Sequence, residues 1–298
     1  MKKSMKMFFG VFLFGMLLIP FTSVSAATEV NSYEDLTAAL ATDETVIEIG
    51  SDFDITAPIE IKKDLTINGH GNTLTATYPK SGGNDTILSS STSGVLVLND
   101  LVLSDSPKYG VQAHNGGTVV LNGVTIRNSG FGAALANGGT LVIQDLLLDN
   151  NAYGIELGIG DEVTGIPTII MDGTLSIVNQ DGKTPIHVDT TQITADKTIT
   201  VENTIDTVQT IDLEGNILVI KDANGDIVYT SDELLEGTEV TVNTEEPLEP
   251  TTPTEEPEVT EPTEDVTENP ETSDSILLIL GVCGLSAAAM FTLKRKLS

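Results

Sequence analysis

Apolar and polar positions alternate in short runs along the middle of the chain, and the runs return at a fixed spacing. Three lines align: GVLVLNDLVLSDS from Gly94, GTVVLNGVTIRNS from Gly117 and GTLVIQDLLLDNN from Gly139, at steps of 23 and 22 residues. Each line holds two β-rich runs joined at a polar pair, Asn99-Asp100, Asn122-Gly123 or Gln144-Asp145. Asn68-Gly69 and Asp172-Gly173 fill the same slot in outlying copies. These residue types tolerate a left-handed backbone, so the slot marked by Asn68, Asn99, Asn122, Gln144 and Asp172 predicts a ladder of sharp bends. The residue before each pair is apolar (Ile67, Leu98, Leu121, Ile143, Met171), and so is the one two earlier (Leu65, Leu96, Val119, Leu141, Ile169). Stacked copies of the unit place each set in an internal column, which buries a continuous core.

A third run follows in each repeat: YGVQA from Tyr109, FGAAL from Phe131 and YGIEL from Tyr153, with a degraded copy, PIHVD, at residues 185–189. Three short strands per turn of about 22 residues describe a parallel β-helix. A sandwich of antiparallel hairpins would not make like residues recur at a coil spacing. Upstream, residues 31–40 pair Ser32 with Asp35 and place Leu36, Ala39 and Leu40 at helical spacing. This predicts a short amphipathic helix closing the first coil. Beyond residue 190 the rhythm is lost, yet strand composition persists and Asn224-Gly225 signals a hairpin. The β-helix is therefore assigned to residues 27–190, and residues 191–243 to a small antiparallel β module or carboxyl-terminal cap.

Composition changes the picture mainly at the two ends. Residues 1–26 run from lysines through an apolar stretch to Val24-Ser25-Ala26, the order of a secretory signal cleaved after Ala26. Residues 244–272 hold six of the twelve prolines and no lysine, arginine, glycine or aromatic residue. Such a segment cannot bury a core. As polyproline II it reaches at most roughly 90 Å, and residues 244–268 are read as a stalk. The only cysteine, Cys283, lies in the apolar tail, so the exported domain has no disulfide and rests on burial and backbone pairing. The net charge of −30, with six of the fourteen basic residues in the terminal signals, excludes nucleic acid as a partner.

Residues 269–298 carry a polar pentapeptide, Asn269-Pro270-Glu271-Thr272-Ser273, then an uncharged apolar span at 276–293, then Lys294-Arg295-Lys296. The span is just long enough to cross a bilayer, and the basic tail would hold its end on the cytoplasmic side. This layout resembles the sorting signal of Gram-positive wall proteins, with Pro270 and Thr272 matching its common pentapeptide, LPxTG. The resemblance implies that a sortase cysteine attacks the Thr272 carbonyl and transfers the chain to peptidoglycan, after a transient membrane intermediate.

With bends, aliphatic columns and cap helix laid out, residues 30–189 resemble the right-handed parallel β-helix of pectate-lyase-like proteins. That resemblance implies the fold. It leaves activity open, because the fold serves enzymes on acidic polysaccharides as well as adhesins. Lyases of this kind use acidic residues to hold Ca²⁺ and a basic residue to take a proton. Arg127, the only arginine between the signals, has Asp105 and Asp149 across the coils, and one arginine near one or two acids on a turn is more often a surface ion pair than a lyase site. Gly69-His70-Gly71 copies a polygalacturonase motif but sits in the bend slot, without the paired aspartates. Asp222-Ala223-Asn224-Gly225-Asp226, with Glu233, imitates a Ca²⁺ loop, although Ile227 takes the place of its glycine and the flanks read as strands. His114 and His187 have no second ligand at a metal spacing.

Tyr109, Phe131 and Tyr153 recur at steps of 22 and so stack in one column. The glycine after each points to an internal stack, whereas on the outside they would form, with Arg127, a candidate ligand face for sugar rings. Two function classes follow. One is a wall-anchored, non-catalytic adhesion module for an extracellular glycan or protein. The other is a wall-tethered lyase or hydrolase acting on acidic polysaccharide.

Overall fold

A computed structural model describes residues 27–158, 164–179, 184–191, 193, 197–204 and 207–244. The expected signal segment, stalk, sorting pentapeptide and apolar span, at residues 1–26 and beyond residue 244, lie outside the described residues. The described chain is a parallel β-helix whose coils each present three faces. The first face carries Val46–Ile49, Leu65–Asn68, Val95–Asn99 and Thr118–Asn122, paired in parallel. The second carries Phe53–Ile55, Thr73–Ala76, Val102–Ser104 and Val124–Arg127. The third carries Ile59–Ile61, Leu88–Ser91, Val111–His114, Gly132–Asn137, Tyr153–Gly158 and Ile186–Val188.

On the first face the observed register is the one the pattern predicts. Leu65, Leu96, Val119, Leu141 and Ile169 pair in sequence, as do Ile67, Leu98, Leu121, Ile143 and Met171. Every one of these side chains is at most 2% exposed and joins a single hydrophobic cluster. The alternate residues, such as Val97, Val120 and Val142, face outward and are half-buried. A strand period of two makes this sorting automatic once the register is set.

The bend ladder is more varied than its sequence slot implies. Asn68, Asn99 and Asn122 end their strands; the left-handed residue is the next one on at Asp100 (φ 47°) and Gly123 (φ 67°), and the second one on at His70 (φ 54°). Side-chain amides link the ladder: Asn99 Nδ2 donates to Asn68 Oδ1 at 2.9 Å and Asn122 Nδ2 to Asn99 Oδ1 at 3.1 Å. At Gln144 and Asp172 the sharp bend is absent. Thr140–Asp149 and Thr168–Val178 run straight through the slot as single strands, with a bulge opposite Gln144. The first two faces thereby merge into one 13-stranded sheet, while the third face heads a separate 9-stranded sheet. Gly173 permits the passage, since a Cβ there would lie 1.8 Å from the Gln144 carbonyl oxygen.

A second polar ladder, not signalled by the pattern, turns the corner after the second face. Asp105, Asn128, Asn150 and Asn179 all have φ between 54° and 59°. Asn128 donates to Asp105 at 3.2 Å, and Asn150 to Asn128 at 2.9 Å.

The amino-terminal end is closed by the helix Tyr33–Leu40. Ser32 caps it by accepting from the Asp35 amide at 3.1 Å, and Leu36 and Ala39 bury themselves in the core. At the other end two further strands, Thr198–Asn203 and Glu239–Thr244, extend the first face. The long excursion between them forms the antiparallel strands Thr210–Glu214, Ile217–Lys221 and Ile227–Glu233. Asn203, 3% exposed, pins this excursion: its amide exchanges hydrogen bonds with the backbone of Ile211 at 3.0 and 2.8 Å. The last antiparallel strand reaches back to the third face, where Ser231 pairs with Ile186.

Candidate ligand-binding face

The third face arranges its aromatic residues in a row. Tyr109 and Phe131 meet edge to face at 5.6 Å between ring centroids, and Phe131 and Tyr153 at 5.5 Å. His187 extends the row by stacking on Tyr153 at 4.7 Å, with 21° between the planes. Gly132 makes room for the first ring, because a Cβ there would come within 2.8 Å of Tyr109 Cε1.

The row lies outside the coil, which corrects the expectation of an internal stack. Ile155 and Leu157 belong to the interior cluster. Glu156 between them must therefore point outward, and Tyr109 donates its hydroxyl to Glu156 Oε1 at 2.7 Å. His187, likewise set between the buried Ile186 and Val188, pairs in register with Glu156. The backbone register also departs from the even 22-residue step. Val111 pairs with Ala134, and Ala134 with Ile155, so the small side chains of Ala134 and Ala136 fill the interior while Leu135 turns outward. The aromatic spacing follows the chain count, but the sheet slips by one residue beneath it.

Tyr109 is only 2% exposed, whereas Phe131, Tyr153 and His187 are half-buried and present one side to solvent. Two of the chain's few cations lie over the rings, Lys108 Nζ at 5.6 Å from the Tyr109 centroid and Lys80 Nζ at 5.9 Å from that of Phe131. Both distances suit a cation–π contact.

Charge behind the row is unevenly satisfied. Glu156 is 3% exposed, and its Oε2 is buried without a hydrogen-bond partner among the described residues. Burial pushes its carboxyl above the ordinary range; the Tyr109 hydroxyl and the nearby His187 oppose that rise without cancelling it. Burial also drives the Tyr109 phenol upward, with the Glu156 charge adding to it. Asp232 behaves oppositely. Burial disfavours its charge, but Thr184 Oγ1 donates to it at 2.6 Å and His187 Nδ1 lies 2.5 Å from it, and these contacts hold it below the usual carboxylate range. Next to this pair a surface cavity of about 500 Å³ is lined by Tyr153, Thr184, His187, Val188, Thr190, Asp232 and Glu233.

The remaining candidates lie apart from this face. Arg127 is exposed and its Nε donates to Ser104 Oγ at 3.2 Å. The two carboxylates beside it serve the corner ladder, Asp105 accepting from Asn128 and Asp149 from Asn179. Arg127 therefore stands on the second face, away from the aromatic row. His70, at φ 54°, occupies the bend and contacts Glu48 at 2.6 Å. The Asp222 carboxylate accepts from the amides of Asn224 and Asp226, both at 2.9 Å, inside its own hairpin turn, while Glu233 accepts from Asn216.

Glu156, His187 and Asp232 were not singled out as a group by sequence reasoning. Glu156 left a trace, as the only charge in the three full copies of the third run, and PIHVD sets His187 in the same sheet column. Asp232 left none, because the antiparallel excursion between Asn203 and Glu239 delivers it.

Comparison with known proteins agrees with this architecture. Residues 27–155 match the family model described as "Putative pectate lyase-like adhesive domain". The match spans the cap helix, the central coils and the ring positions Tyr109, Phe131 and Tyr153. No curated protein and no solved structure matches the chain.

Proposed function

We propose that this chain is a non-catalytic adhesion module displayed outside the cell, which binds an extracellular glycan through the aromatic row of its third face. The observation that carries the reading is the outward placement of Phe131 and Tyr153, half-exposed at 5.5 Å within a region similar to an adhesive domain. Aromatic rings on a rigid sheet offer apolar area at little entropic cost, which suits the flat faces of sugar rings. A β-helix also holds its side chains at fixed spacing, so several sugar units can be engaged at once. Screening the purified chain on a glycan array tests the reading. Binding that Phe131→Ala abolishes is expected; a chain that binds no glycan would overturn it.

The proposal extends to attachment. Asn269, Pro270, Glu271, Thr272 and Ser273 act as the sorting pentapeptide, and a sortase transfers the chain through Thr272 to peptidoglycan. The signal ending at Ala26, the acidic stalk and the basic tail support this reading, since together they describe an exported domain held off a membrane. Thr272→Ala should shift the protein from the peptidoglycan fraction to the membrane fraction, and unchanged linkage to peptidoglycan would sink the sorting claim.

A further inference from the structure

We propose that the cavity at the carboxyl-terminal end of the aromatic row selects an amino sugar, taking its primary ammonium group beside Asp232 and Glu233 while the sugar lies against the stacked Tyr153–His187 pair. This rests on the glycan-binding reading above and names the ligand class. It departs from the acidic polysaccharides of lyases with this fold.

Three independent observations support it. First, the walls combine the rings of Tyr153 and His187, the hydroxyls of Thr184 and Thr190, and two carboxylates, Asp232, which His187 contacts at 2.5 Å, and Glu233. Rings and hydroxyls suit any sugar; the carboxylates discriminate by charge. Asp189 adds negative charge nearby, since it raises the Glu156 carboxyl, and His187 opposes it. Lys108 acts on Glu156 from the far side but does not line the cavity. A uronate would bring its carboxylate into like charge, whereas an ammonium finds charge-assisted acceptors.

Second, the row already accepts ammonium groups from the chain itself, Lys108 over Tyr109 and Lys80 over Phe131. Tyr153, the next ring along, lines the cavity instead. Third, among the described residues Glu156 keeps a buried oxygen without a partner, one strand from His187 on the same outer face. Buried carboxylate oxygens are normally satisfied. A cation bound in the adjoining cavity would favour the ionised form of this carboxyl, which burial disfavours.

The test uses the full chain in mild detergent with three probes: a glucosamine oligomer, its fully N-acetylated counterpart and an oligogalacturonate of the same length, titrated calorimetrically. The glucosamine oligomer should bind at least about ten-fold more tightly than the acetylated one, with no galacturonate binding. Glu233→Gln, at an exposed position, should remove most of that preference, and Tyr153→Phe should preserve it. Equal, Tyr153-dependent binding of the acetylated oligomer would overturn the ammonium assignment and leave the glycan reading intact. Glucosamine binding unchanged by both Glu233→Gln and Tyr153→Ala would mean attraction to the chain's overall charge, and would also overturn it. No binding of any probe, with an empty glycan array, would remove both.

Discussion

Leu121 sits in the middle of the first-face column, fully buried, with Leu98 and Ile143 as its register partners on either side. Replacing it with alanine removes three carbons from a site whose neighbours are held by coils above and below, so the hole cannot easily collapse. A cost of about 3 to 5 kcal/mol is expected, the upper part of the range for a buried leucine. Val120, one residue earlier, turns to the outer surface and is half-buried. Its truncation should cost below about 1 kcal/mol, because little area leaves contact. Urea unfolding followed by circular dichroism measures both, with midpoints compared at constant slope. Since a one-residue slip of register exchanges the two faces, a Val120→Ala cost equal to or above that of Leu121→Ala would refute the assigned register.

Other expectations follow from the same structure. Glu156 holds its proton in the folded state at pH values where the unfolded chain, with an ordinary value of 4.5, has lost it. Its contribution is therefore fully present below that value and is lost as pH rises through the folded one. Glu156→Gln should flatten this decline in a melting series from about pH 4 to about pH 8, and an unchanged profile would contradict the burial argument. Gly173→Ala forces a Cβ against the Gln144 carbonyl; it should cost about 1 to 3 kcal/mol, and a neutral result in urea would show that the strand passage is looser than described. Ser32→Ala removes the helix cap at a cost of about 1 kcal/mol, which should appear as faster amide exchange at Asp35 before any change elsewhere.

The first face was legible because its signal is local and repeated. Each strand carries two interior aliphatic residues before a polar pair, so one alignment of residues 94–150 fixes both register and core. The third face was harder to read. Its interior slots hold Ala134 and Ala136 in one coil and Ile155 and Leu157 in the next, and such size changes blur the period. Tyr109 and Tyr153, placed at the start of their runs, share the parity of the interior Val111 and Ile155 yet lie outside, whereas Phe131 stands three residues before the interior Ala134. The chain turns a corner there, and parity in a strand does not extend through a corner. The corner ladder of Asn128, Asn150 and Asn179 was missed for a related reason. A single asparagine with a left-handed backbone carries no flanking pattern, whereas the pair Asn122-Gly123 does.

The cluster around Glu156 shows the limit of repeat reasoning. His187 lies in its degraded copy, so its column is traceable in the sequence. Asp232 arrives from an antiparallel excursion with no repeat, and nothing in the surrounding residues ties it to residue 187. The 2.5 Å contact between them exists only because Ser231 pairs with Ile186 at the edge of the third face.

The claim that matters most is that the outer aromatic row is the binding surface. The direct measurement is the affinity of the strongest array glycan for the intact chain, for Phe131→Ala/Tyr153→Ala, and for Val120→Thr/Val142→Thr on the first face. The account predicts a loss of at least about ten-fold for the aromatic double variant, the scale of losing ring stacking at two positions. It predicts no material change for the first-face variant. Full affinity in the aromatic double variant, or loss confined to the first-face variant, would contradict it.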